Sequence, residues 1–201
     1  MSRSVFDVNG QLQSIERKIV VALERISEAF RVLLWEEAKE HSLSPIQVQL
    51  LIFCAYHAAE KRKVGFLANE FNLTKATVSD AVKTLEQKGY IQKETEAADN
   101  RSYSIHLTKS GLTLAKNIAA FANPVYESVN KLTENQQQVL LSSLLEMIQK
   151  LQSAGVISIN RMCLSCRYYE KKPAGHYCHF LKTVLKDTEL RIDCKEHEMI
   201  N

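Results

Sequence analysis

Only six glycines occur in 201 residues, and none stands in a run able to cradle a phosphate group. No nucleophile elbow and no H-E-x-x-H pattern is present, so the usual signatures of hydrolases, phosphate-transfer enzymes and metalloproteases are missing and no enzyme is expected. No stretch reaches 18 consecutive apolar residues, which excludes a transmembrane helix. The opening residues MSRSVFDVNGQLQSIERK lack an apolar signal core and a small-residue cleavage site, so a cytoplasmic protein with no membrane partner is expected. An excess of one charge is absent too: a net +3 is too small to argue for nucleic acid by itself.

What is there is ordinary globular material, 45% hydrophobic and 24% charged, long enough for one domain plus an appendage. Residues 11–40 read as one amphipathic helix, with Ile15, Ile19, Leu23, Ile26, Phe30 and Leu34 at steps of three and four. Ser44-Pro45-Ile46-Gln47 combines an N-cap, a first-turn proline and a capping-box glutamine, opening a second helix to about residue 58. A short third helix spans roughly 64–71, and Thr74 caps a fourth that ends near Gly89. Two short strands follow, Tyr90–Glu96 and Ser102–Leu107, joined by a polar tip at Ala97–Arg101. Thr108 caps a further helix that Pro124 interrupts, and the capping box Thr133–Gln136 opens a last one to about residue 152. Residues 1–152 form one expected domain and 153–201 an extension.

Helix, helix, turn, helix and hairpin is the order of a winged helix-turn-helix. In the fourth helix, Val78, Ala81, Val82 and Leu85 share one face, and at about 100° per residue the wheel turns Ser79, Asp80 and Lys83 outward, with Lys75 and Thr77 flanking. Small polar residues suit a helix entering a major groove about 12 Å wide, although a plain amphipathic surface helix shares the pattern. At the hairpin, Arg101 is placed to reach a minor groove or a phosphate, with Asp99 as the acceptor that holds its direction.

The combination of Leu67-Ala68, Thr77-Val78-Ser79, Leu85-Glu86, Lys88-Gly89-Tyr90-Ile91, Asp99-Asn100-Arg101-Ser102, Leu107-Thr108 and Gly111 resembles the MarR family of bacterial transcriptional regulators over roughly residues 10–152. The resemblance implies a homodimer in which the first and last helices of both chains intertwine and two winged heads grip a pseudo-palindrome, its half-sites about one helical turn apart. Two features depart from the family: Asp80 stands where many relatives carry a basic residue, and charges over residues 74–103 balance at five against five. Asp80 either accepts from a cytosine N4 or repels phosphate without reading a base.

The C-terminal 39 residues hold Cys163, Cys166, Cys178 and Cys194 in a C-x2-C-x11-C-x15-C spacing, with His176, His179 and His197 nearby. In a reducing compartment such a cluster points to a metal or redox centre more than to structural disulfides. Four thiolates suit tetrahedral zinc, the expected cofactor, and an iron–sulfur cluster is the alternative; reduced thiols or a redox disulfide are the metal-free reading. About fifty residues make a meagre core that a metal would help fold. The histidines read as neighbours of the site, Cys54 as a small buried apolar residue with a sensing thiol as the alternative, and Trp35 and Tyr56 as core packing, the alternative being the lining of an effector pocket between the dimerisation helix and the reading head.

The fold expected is therefore mainly α with a β-hairpin wing, a helical dimerisation region and a small cysteine-rich metal-binding lobe. The expected function is a homodimeric regulator of double-stranded DNA, modulated by a small-molecule effector, a metal or redox state. The rival readings are a thiol or metal-dependent redox protein, for which Cys163-Leu164-Ser165-Cys166 lacks a βαβ context, and an interaction module whose heads no longer bind DNA.

Overall fold

The computed structural model describes residues 4–96, 99–157, 161–173 and 175–200, with the side chains of all but residues 95–102 in those ranges. Eight α-helices are described: α1 (Val8–Gln11), α2 (Ile15–Glu40), α3 (Pro45–Tyr56), α4 (Val64–Glu70), α5 (Lys75–Gln87), α6 (Lys109–Ile118), α7 (Asn123–Asn130) and α8 (Glu134–Ser153). The antiparallel wing consists of β1 (Ile91–Glu96) and β2 (Asp99–Leu107). A second sheet, in the order β3-β4-β5, is formed by β3 (Tyr169–Lys172), β4 (Gly175–Cys178) and β5 (Thr183–Leu185). No helix among the described residues is long and apolar enough to cross a membrane.

The caps read from the sequence are made. Ser44 and Gln47 exchange both capping-box hydrogen bonds at the start of α3, and Thr133 and Gln136 do so at α8. The single helix expected over 11–40 is two: Asp7 caps α1, and Ser14, in extended backbone, accepts from the Arg17 N–H to start α2 afresh. The hairpin tip is shorter than expected, because β2 begins at Asp99 and pairs with Glu96; residues 97 and 98 lie outside the described residues. Tyr90, outside β1, donates its N–H to the Leu85 carbonyl at 3.0 Å, and its carbonyl accepts from the backbone of Thr108 at 3.0 Å and from the Thr108 hydroxyl at 3.2 Å.

That contact welds the wing to α6. Thr108 caps α6 by accepting from the Gly111 N–H at 3.0 Å, and a Cβ at Gly111 would fall inside contact distance of the Tyr90 carbonyl. Only glycine lets the helix come so close. On the other side, the Ile105 N–H donates to the Arg62 carbonyl at 3.0 Å and Lys63 bridges Ser104, so the linker before α4 runs along β2.

The main core lies inside the head. Val48, Leu51, Leu67, Val78, Leu85, Ile105 and Ile118 are all buried, drawn from α3 to α6 and the wing. Half of α3 is buried, Cys54 included, where burial pushes its thiol pKa up to about 12. A smaller second core joins Leu145 of α8 to Met162, Cys163, Leu185 and Leu190 of the C-terminal lobe. By contrast, α2 buries only Ala38 and α8 only Leu145. Trp35 (59% exposed) and Tyr56 (57%) are not core residues, contrary to the expectation of core packing: among the described residues more than half of each side chain stays uncovered.

Candidate nucleic-acid interface and cysteine lobe

The amphipathic division of α5 follows from its period. Val78, Ala81, Val82 and Leu85 are buried, while Lys75, Thr77, Asp80 and Lys83 are exposed and Ser79 is half-buried at the boundary. Thr74 caps α5 through the Thr77 N–H at 3.1 Å, and the two threonine hydroxyls are 2.8 Å apart, which holds the Thr77 side chain at the helix start. Thr84, another outward residue, instead bonds back to the Asp80 carbonyl at 3.0 Å. Two nearby cations are engaged within the chain: Lys93 pairs with Glu86 at 2.6 Å, and Lys88 donates to the Ser42 carbonyl at 2.8 Å. No ion pair is found for Lys75 or Lys83 among the described residues.

The wing stands beside this face. Asp99 and Arg101 are on β2, but the hydrogen bond expected between them concerns side chains outside the described residues.

In the C-terminal lobe, the four cysteines come from three separate segments and line one small cavity together. Cys163 opens a single 3-10 turn and Cys166 closes it, its N–H donating to the Cys163 carbonyl at 3.0 Å. Cys178 ends β4, and the Cys194 N–H donates to the Arg161 carbonyl at 3.0 Å. All five cysteines of the chain are free thiols. The histidines have partners other than sulfur: His176 lies between the Tyr169 hydroxyl and Asp187, both at 2.7 Å, His179 pairs with Glu170 at 2.8 Å, and His197 faces the Ser165 hydroxyl at 3.0 Å. Among the described residues, no three Cys, His, Asp or Glu side chains are grouped as the ligands of a single metal ion.

The MarR family model matches residues 41–102, from the end of α2 into the wing. Over those residues the chain is similar to the MarR family. The HTH-type transcriptional regulator SarZ of Staphylococcus haemolyticus (strain JCSC1435) is 28% identical over 110 residues, 55% of this chain and 73% of that protein. The fold is also that of MepR from S. aureus, solved as a MepR–DNA complex (22% identity, TM-score 0.58, 66% of this chain and 97% of that one). A MarR transcriptional regulator from Methanosarcina mazei Go1 is similar as well (19% identity, TM-score 0.56, 67% of this chain and 98% of that one). About a third of the chain is thus left uncovered by structures that are themselves covered almost whole.

Besides the Leu145 core, what joins the winged helix to the cysteine lobe is Arg161, a residue the sequence did not single out. Its side chain is 9% exposed and grips Glu70, the last residue of α4, through both terminal nitrogens, one of them at 3.0 Å. Its Nε donates to Asp193 at 2.5 Å, and Asp193 also meets His57, just past α3, at 2.8 Å. The guanidinium lies over the rings of Phe53 (5.5 Å) and Phe66 (5.7 Å). Burial opposes the charge of Arg161, but the hydrogen bonds to Asp193 and Glu70 outweigh it and hold its pKa above the ordinary value. Burial likewise acts to raise the carboxyl of Asp193; Arg161 and His57 together bring it below the usual range. One arginine therefore ties the helix before α5 to the residue preceding Cys194.

Proposed function

We propose that the protein is a homodimeric transcriptional regulator that binds double-stranded DNA at a pseudo-palindromic operator. The observation that carries this reading is the exposed polar face of α5, set clear of the core beside the wing. MepR, whose fold this chain shares, is known in complex with DNA. In the proposed complex Lys75 and Lys83 meet phosphates, Thr77 and Ser79 meet base edges or groove walls, and Asp80 accepts from a cytosine N4. Arg101 occupies the wing site with Asp99 as its support.

The dimer is supported by the apolar faces that a single chain leaves wet. Ile15, Ile19, Ile26 and Phe30 of α2 are 69, 47, 51 and 39% exposed, and Val139 and Leu151 of α8 are 58 and 44% exposed. Taking one such side chain fully out of water contributes about 1.5–3 kcal/mol, so a partner covering both helices gains a large driving force. A cleft between the head and the lobe, bordered by Tyr56, Lys61 and Lys195, offers a place for a small-molecule effector.

Selection from a random duplex library tests the function. The expected product is a pseudo-palindrome with half-sites about one helical turn apart; recovery of no common sequence would remove the regulator reading and leave the interaction module. Pairing is tested separately by sedimentation. Charges placed in the α2 face, as in the double variant Ile19→Asp with Ile26→Asp, should shift the protein from dimer to monomer. A wild-type chain that sediments as a monomer at micromolar concentration refutes the dimer.

A further inference from the structure

We propose that the C-terminal lobe is a strut that fixes the reading head against α8, with Arg161 as its positioning residue, and so sets the half-site spacing the dimer accepts. This inference rests on the dimer and operator proposed above. The observation that carries it is that the lobe is anchored at two separate places. Leu145 is the one side chain of α8 buried among the described residues, and its buried core partners, Met162, Cys163, Leu185 and Leu190, all belong to the lobe. Gln149, about one turn further along α8, donates from its side chain to the Leu164 carbonyl at 3.0 Å. The second anchor is on the helix-turn-helix: Arg161 holds Glu70 at the end of α4, and Asp193 meets His57 just past α3 at 2.8 Å.

One short piece of backbone carries both anchors. Arg161 reaches the head, while Met162, fully buried, reaches the α8 core, because successive side chains of extended backbone point to opposite faces. That piece is pinned along its length: Arg161 is bridged to Asp193, the Cys194 N–H donates to the Arg161 carbonyl at 3.0 Å, and the Cys163 N–H donates to the Arg191 carbonyl at 2.9 Å. From Glu70 the path to the recognition helix is short. Asn72 turns the chain at a φ of 53°, the Leu73 N–H returns to the Ala68 carbonyl at 2.8 Å, and Thr74 caps α5. Holding Glu70 therefore holds the start of α5. The winged fold is complete without the lobe, since 66% of this chain matches 97% of MepR. What the lobe adds is a tie between head and α8. In a dimer joined through α2 and α8, that tie limits how far each head can swing. One base pair added between half-sites moves a head about 3.4 Å along the duplex and turns it by about 35°, which a tied head cannot follow without losing an anchor.

The test compares the full-length wild type with Arg161→Met and Glu70→Leu, which undo one contact from its two sides. On the selected operator with one base pair added to or removed from the spacer, wild-type affinity should fall about ten-fold or more. For each variant the fall should be about three-fold or less, with the base preference inside each half-site unchanged. The same spacing dependence in all three proteins would overturn the strut. A second measurement needs no DNA. Spin labels on unnatural residues at Gln87 of α5 and Gln138 of α8, both exposed, report the distance from head to α8 by pulsed spin resonance. Labelled chains are diluted into unlabelled ones, so that each dimer carries a single labelled chain. The distance distribution should be narrow in the wild type and clearly broader in both variants; equally narrow distributions would overturn the proposal. A wild type that binds no duplex sinks the operator reading instead, and the distance contrast then decides the strut by itself.

Discussion

Replacing Arg161 with methionine is expected to release the cysteine lobe from the winged helix while both remain folded. Methionine keeps an apolar stem against Phe53 and Phe66 but leaves the Glu70 and Asp193 carboxylates without their shared cation. Removing one partner of a buried ion pair costs about 3–5 kcal/mol. The lower end applies here, because the Glu70 side chain is only 18% exposed but that of Asp193 is 47% exposed and regains water. Amide hydrogen exchange reads the result by segment: protection should fall across residues 161–200 and persist in α3, α5 and α6. Protection of the lobe within two-fold of the wild type would show that its own contacts with α8 suffice. The double variant with Glu70→Leu should recover part of the loss, since removing both members of the pair leaves one fewer stranded charge.

Arg101→Ala should weaken operator binding by about ten- to a hundred-fold, the equivalent of about 1.5–3 kcal/mol for a hydrogen bond to a charged group. The effect is expected to be large because so few other cations remain on the reading face: of the five over residues 74–103, Lys88 and Lys93 are held inside the chain, leaving Lys75, Lys83 and Arg101. Three phosphate-directed cations per protomer make six per dimer, and log K should fall against log salt with a slope of only about −5. If Arg101 meets phosphate, its loss should flatten that slope by about 2; if it sits in the minor groove, it should also relax preference at the flanking base pairs. Titrations of the wild type and the variant at several salt concentrations separate the two, and unchanged affinity would remove Arg101 from the interface.

The parts legible in the sequence were those governed by local rules. The buried face of α5 follows from a 3.6-residue period, and the starts of α3 and α8 from capping boxes whose partners are three residues apart. A single serine concealed the break before α2, because Ser14 interrupts an apolar period that runs on across it. The sheet of the lobe was harder to read. β3 is exposed along nearly its whole length and β5 has three residues, so neither shows the alternation that marks a strand. The Arg161 hub had no local signal at all, since its partners lie 32 to 104 residues away. Trp35 and Tyr56 misled for a different reason: a large aromatic residue implies burial, but the burying surface need not belong to the same chain.

If chains pair through the wet face of α2, as proposed, that face sets how sharply the protein responds to its own supply. While most chains are unpaired, the population of pairs grows with the square of the number synthesised. Doubling expression then raises the species able to span both half-sites about four-fold, by the law of mass action. In the proposed dimer, Ile15, Ile19, Ile26 and Phe30, exposed in the single chain, would thereby make operator occupancy depend more steeply on copy number than a monomer's would.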